Sequence, residues 1–153
     1  MRTFILSIIS IFFFSSMAVA ADNGLVSAKS SHTVKETADR LENIVQQKGM
    51  TLFARINHTA GAEKVGKELR PTELIIFGNP KVGTPLMQCS QTMAIDLPQK
   101  ALIWEDDAGQ VWFSYNEPEY LAKRHNTKGC LEVIKKVQNV LANFSSAATG
   151  VVD

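Results

Sequence analysis

The chain predicts an α+β fold with a largely antiparallel sheet, on three observations. Segments of helical periodicity gather near its two ends. Alternating or continuous apolar segments, several joined by turn residues, fill the middle. No repeat or linker divides residues 21–145, so one domain accounts for them. Two long amphipathic helices would cover one face of the sheet. The other face must be solvated, covered by short helices or buried against a partner.

The elements follow in order. Leu25 to Ser31 reads as an opening strand. Thr33 and Glu36 form a capping box, and Val34, Ala38, Leu41, Ile44 and Val45 make one helical stripe that Gly49 ends. From Met50 to Ile56 the residues alternate, with Met50, Leu52, Ala54 and Ile56 on one face and Thr51, Phe53 and Arg55 on the other. Thr59 to Leu69 reads as a second helix with Ala62, Val65, Gly66 and Leu69 inward, stopped by Pro71. Leu74 to Phe77 is a buried strand, a loop spans 78–83, and Thr84-Pro85 opens a short helix as N-cap and first helical residue. Strands follow at Thr92 to Leu97, Lys100 to Glu105 and Val111 to Tyr115, the last two joined by the Asp106–Gly109 turn. A short helix runs from Pro118 to His125. The final helix spans Cys130 to Phe144, with Val133, Val137, Val140, Leu141 and Phe144 as its stripe. Residues 146–153 are expected to fray as a flexible tail.

Residues 1–20 read as a secretory signal peptide: Arg2, an apolar run from Phe4 to Phe14, then Ala18-Val19-Ala20 as a cleavage site. The apolar run falls short of the roughly 20 residues a spanning helix needs, so no membrane anchor is expected after processing, and the localisation is periplasmic or secreted. The whole chain carries 16 basic and 15 acidic residues, and loss of Arg2 would balance them. That balance argues against a nucleic-acid partner, which would want a basic surface. In an oxidising compartment Cys89 and Cys130 either form one disulfide or remain two buried thiols.

The candidate site centres on the loop from Phe77 to Met87. Gly78 and Gly83 have the spacing of a P-loop, but Thr84 stands where the phosphate-binding Lys belongs and Pro85 where the Mg²⁺-binding hydroxyl belongs. Nucleotide hydrolysis is therefore not expected. Asn79, Lys81, Thr84 and the loop N–H groups suit a carboxylate, a phosphate or another small polar ligand; a plain structural turn is the competing reading. His58, Arg124 and His125 complete the proposed pocket, with Arg124 free to pair with Glu105, Asp106 or an acidic ligand. The three histidines lack zinc spacing and no Cys-x-x-Cys-His is present, so neither metal nor cofactor is expected.

Three segments resemble a known family. They are Arg70-Pro71-Thr72-Glu73-Leu74-Ile75-Ile76-Phe77-Gly78-Asn79-Pro80 running on to Met87, then Asp96-Leu97-Pro98-Gln99-Lys100-Ala101-Leu102-Ile103-Trp104-Glu105-Asp106, and Tyr115-Asn116 with Tyr120-Leu121-Ala122-Lys123-Arg124-His125. Their order and spacing are similar to domain of unknown function 302. Asn57-His58-Thr59 stands where that family often has Asp-His-Ala. The resemblance implies a curved antiparallel sheet with two long helices on one face, a TATA-binding-protein-like arrangement, and a homodimer. It implies no established activity. Three readings follow: a binder of a small polar or anionic ligand, a partner-binding homodimer using the sheet face or the Trp104–Trp112 hairpin, and an enzyme with His58 or His125 as general base.

Overall fold

The computed structural model describes residues 19–20 and 23–150. The expected signal peptide up to residue 18 lies outside the described residues, as do 151–153 of the tail. Val19–Ala20 form a two-residue strand, β1, paired with Val26 and Ser27. Then come β2 (Leu25–Ser30), α1 (Val34–Gln47), β3 (Thr51–Asn57), α2 (His58–Glu63), β4 (Thr72–Gly78) and α3 (Pro80–Cys89). A 3-10 turn (Gln91–Ile95) leads to β5 (Gln99–Glu105), β6 (Val111–Asn116), α4 (Pro118–Arg124) and α5 (Leu131–Thr149). The strands form one antiparallel sheet in the order β1-β2-β6-β5-β4-β3. It is curved and open, the α+β class expected. Among the described residues no helix is long and apolar enough to cross a membrane.

Helix α1 forms where its capping box directs. The Thr33 hydroxyl accepts from the Glu36 N–H (3.2 Å), and the Thr33 N–H donates to the Glu36 carboxylate (3.0 Å). Donation to that carboxylate by the Thr33 N–H, and then by the Thr33 hydroxyl at 2.9 Å, holds the Glu36 carboxyl below its ordinary pKa. Val34, Ala38, Leu41 and Val45 are buried. They meet Ile75, Phe77, Ala101, Ile103, Phe113 and Tyr115 from one sheet face, and Ile134, Val137, Leu141, Phe144 and Ala148 from α5. Each large side chain in this layer contributes about 1.5–3 kcal/mol.

The opposite sheet face follows from the pleat. Ile56, Leu74, Ile76, Leu102, Trp104 and Trp112 alternate with the core residues and stay partly exposed, Ile56 most of all at 38%. Leu74 pairs with Leu102 and Ile56, and Trp104 stacks on Trp112 with ring centres 6.4 Å apart.

Four expectations change. In β3 the alternation breaks at a bulge, because Leu52 pairs with Phe77 and the next partner, Ile76, meets Ala54. Phe53 is the extra residue, 54% exposed. The parity of everything after it reverses, so Arg55 turns under α1 and Ile56 turns outward. The second helix stops at Glu63, and Val65 and Leu69, expected inward, are 72% and 45% exposed. With Gly66 at positive φ the turn after Glu63 cannot continue as helix. The strand expected at Thr92 to Leu97 is the 3-10 turn with only Met93 buried.

The tail expected from residue 146 instead continues α5 to Thr149, with Ser145, Ala148 and Thr149 buried. Its last carbonyls are not left to solvent. The Arg40 guanidinium donates to the carbonyls of Ala147 and Ala148, each at 2.9 Å, and the Ser31 hydroxyl donates to that of Thr149, also at 2.9 Å.

Candidate functional site

The loop expected at 78–83 is already helix. Asn79 is the N-cap and Pro80 the first helical residue of α3, which places the start five residues before Thr84-Pro85. Asn79-Pro80 and Thr84-Pro85 are equally good start signals; the earlier one prevails because β4 ends at Gly78, directly before it. Pro85 then lies inside the helix. The backbone donors of the first turn are spent. Lys81 N–H goes to the Asn79 side-chain oxygen, and Val82 and Gly83 N–H go to the Asn79 carbonyl, all at 2.9 Å. The anion-holding loop of free N–H groups is therefore not there, and Lys81 is exposed.

The other predicted site residues lie apart. His58 begins α2 beside Asn57, which pairs with Glu73, whereas Gly78 pairs with Thr51 at the far end of the same ladder. Five residues of strand separate the two ends, about 17 Å at 3.4 Å per residue. His58 therefore does not share a hollow with Asn79. His125 is a clamp: one ring nitrogen is 2.6 Å from Asp96 Oδ2 and the other 3.0 Å from Thr92 Oγ1. Its carbonyl accepts from the Ser90 hydroxyl at 2.9 Å. Arg124 meets the same Asp96 at 3.5 Å, not Glu105 or Asp106. These contacts fasten the end of α4 to the 3-10 turn. Both ring nitrogens of His125 thus have partners within the protein, and its side chain is 6% exposed. Among the described residues no group of three His, Cys, Asp or Glu side chains is placed to hold a metal ion.

What the fold does build is a cleft of about 300 Å³ beside Asn79 and Thr84, at the low end of small-molecule pockets. One wall is α3, through Val82, Gly83, Leu86 and Met87. The facing wall is α5, through Lys136, Val137, Val140 and Leu141. Both sets have i, i+1, i+4, i+5 spacing, one stripe on each helix. Between them the lining is completed by Phe77 and Gly78 at the end of β4, by Met50 and Phe53, and by Ala94, Leu97, Pro98 and Gln99, with Gln99 paired to Phe77. A Cβ on Gly78 would meet Pro98 at 3.4 Å and the Phe53 ring at 3.7 Å, so these three residues are neighbours on the lining. The disulfide between Cys89 and Cys130, Cα atoms 6.3 Å apart, ties the end of α3 to the start of α5. It thus joins the two helical walls.

Of the predicted residues, Asn79 and Thr84 line this cleft; Lys81, His58, Arg124 and His125 do not. Sequence reading missed Phe53, Leu97, Pro98 and Lys136. The signal available was the pair of stripes, but Val137, Val140 and Leu141 were all assigned to the core. Phe53 was hidden by the bulge.

The family model "Domain of unknown function DUF302" matches residues 26–144. Two curated relatives are named "Fluoride-specific ion channel FluC 1", from Brucella suis biovar 1 (strain 1330) and Brucella abortus biovar 1 (strain 9-941). Each is 50% identical over 110 residues, covering 72% of this chain but 43% and 41% of the relatives. The chain thus spans less than half the length of those proteins. A solved structure, the uncharacterized conserved protein DUF302 from Bacillus stearothermophilus, superposes with a TM-score of 0.73 at 18% identity, over 82% of this chain and 98% of that one. That likeness concerns the fold. The chain belongs to the DUF302 family.

Proposed function

For this member of the DUF302 family we propose a small-molecule binding role, exercised after export, with the α3–α5 cleft as its site. One observation carries the reading: an open cleft of about 300 Å³ whose walls come from four parts of the fold and are joined by a disulfide. The site departs from the polar constellation legible in the sequence, because only Asn79 and Thr84 of that set face it. Thermal unfolding with a panel of small organic ligands tests it. A ligand at a hundred times its Kd should add about 2.7 kcal/mol. The added stability should vanish in Gly83→Leu, which fills the cleft from α3. A panel without any stabilising member contradicts the reading. Export has its own check: N-terminal sequencing of the protein made in a bacterial host should begin at Ala21, and an intact Met1 opposes it.

A second reading is a partner-binding homodimer, and the sheet face opposite the helices favours it. Leu74, Ile76, Leu102, Trp104 and Trp112 leave an apolar surface without either long helix on it. The match to part of longer proteins named as ion channels supports a domain that works beside another one. Light scattering should give twice the monomer mass, falling to one in Trp112→Asp. A monomeric native protein rules that reading out.

A further inference from the structure

We infer that the cleft takes a small amphiphilic anion, a short alkyl or aryl chain carrying one carboxylate or similar acidic head. The inference rests on the cleft being the ligand site and goes on to name the ligand's chemistry. The body of the ligand follows from the walls. Val82, Leu97, Pro98 and Val140, all half-buried, supply apolar surface, and Met50 and Met87 supply unbranched, polarisable side chains that adapt to chains of varied shape. The volume holds on the order of ten non-hydrogen atoms, taking each as roughly one water-sized share of about 30 Å³.

The head follows from the polar groups on the lining. They are Asn79, Thr84, Gln99 and Lys136, and no Asp or Glu is among them. Asn79 has spent its oxygen on the Lys81 N–H, which leaves its amide nitrogen to donate. Lys136 is the single charge on the lining. The acid nearest in sequence, Glu132, pairs with Lys135, and Lys136 has no ion pair among the described residues. An ammonium and an amide donor at the edge of an apolar cleft complement one negative charge. A neutral chain would fill the walls but leave those donors unused. A multiply charged head such as a phosphate ester would have to desolvate charge against largely apolar walls.

Titration calorimetry with three probes tests this: octanoate, 1-octanol and acetate. Octanoate has the chain and the head, octanol the chain, acetate the head. Octanoate should bind on the order of tenfold more tightly than octanol, as one charge-assisted hydrogen bond allows, and acetate should not bind measurably. In Lys136→Met the octanoate affinity should fall to that of octanol. Gly83→Leu should abolish both, and Val140→Phe, on the facing wall, repeats that test should the first variant not fold. Equal binding of octanoate and octanol, lost in Gly83→Leu, overturns the anionic head and leaves the cleft as the site. Absence of binding by either, or binding that both filling variants leave unchanged, overturns the cleft itself.

Discussion

Arg55 gathers three carboxylates from two elements. Its guanidinium is 2.6 Å from Asp39 and 3.2 Å from Glu42 on α1, and 2.6 Å from Glu73 on β4. Those partners raise its pKa, with the Glu73 hydrogen bond the largest cause. Glu73 is only 7% exposed and lies on the core face with Ile75 and Phe77. Removing the cation strands that carboxylate. Arg55→Met is expected to cost about 2–4 kcal/mol in urea unfolding, somewhat below a fully buried pair because the side chain is a quarter exposed. Arg55→Met with Glu73→Met should recover most of the loss; no recovery contradicts the stranded-charge account. Asp39 sets a pH dependence. Its carboxyl is held below the ordinary aspartate value by Lys35 and then Arg55. Its ionised form therefore contributes stability above about pH 4, and that stability disappears as pH falls through the lower folded value. Asp106 behaves alike, held down first by the Trp112 indole N–H at 2.8 Å. Arg55→Met should thus flatten the part of the acid limb that Asp39 supplies, so that the variant's deficit in stability narrows as pH falls below about 4. An unchanged limb contradicts the assignment.

At the scale of elements, the bulge in β3 and the bridge at α3 make separate predictions. Leu52, Ala54 and Arg55 already pair with Phe77, Ile76 and Ile75 in order, skipping Phe53. Deleting Phe53 should leave a regular ladder, a folded protein and Arg55 still under α1, while ligand affinity falls because an aromatic side chain leaves the cleft. Loss of folding in that deletion contradicts this view of the bulge. Cys89 and Cys130 close 41 residues. Reduction is expected to cost about 3–4 kcal/mol, and ligand affinity should fall with it because the bridge holds the two walls together. Affinity unmoved by reduction contradicts that role. These elements also show what was readable beforehand. The α1 capping box and the β5–β6 hairpin were legible because their signals are local: Thr33 with Glu36, and Asp106 to Gly109. The start of α3 was not, because two Xaa-Pro signals compete and only the end of β4 decides between them. The persistence of α5 to Thr149 depends on Arg40, more than a hundred residues away in the chain.

Across the whole molecule, the α+β class was readable from where helical and alternating segments fall along the chain, and the family from three spaced motifs. The site was only half readable. Asn79 and Thr84 reach the cleft, but His58 is carried to the far end of the β3–β4 ladder, and Arg124 and His125 are consumed in holding Asp96. Polar residues stand out in a sequence, whereas an apolar cleft is built from side chains indistinguishable from core until their neighbours leave a gap. That is why Val140 was assigned to the core stripe of the last helix and Leu97 to a strand. The fold leaves two apolar surfaces for partners, the cleft and the outer sheet face with its stacked tryptophans, and a single spectrum separates them. Methyl-labelled methionine and indole N–H signals should be followed by NMR during titration with octanoate. Met50 and Met87, on the cleft, are expected to shift, while buried Met93 and the indoles of Trp104 and Trp112 stay in place. Stationary Met50 and Met87 signals, or shifts confined to the two indoles, would contradict the cleft as the binding site.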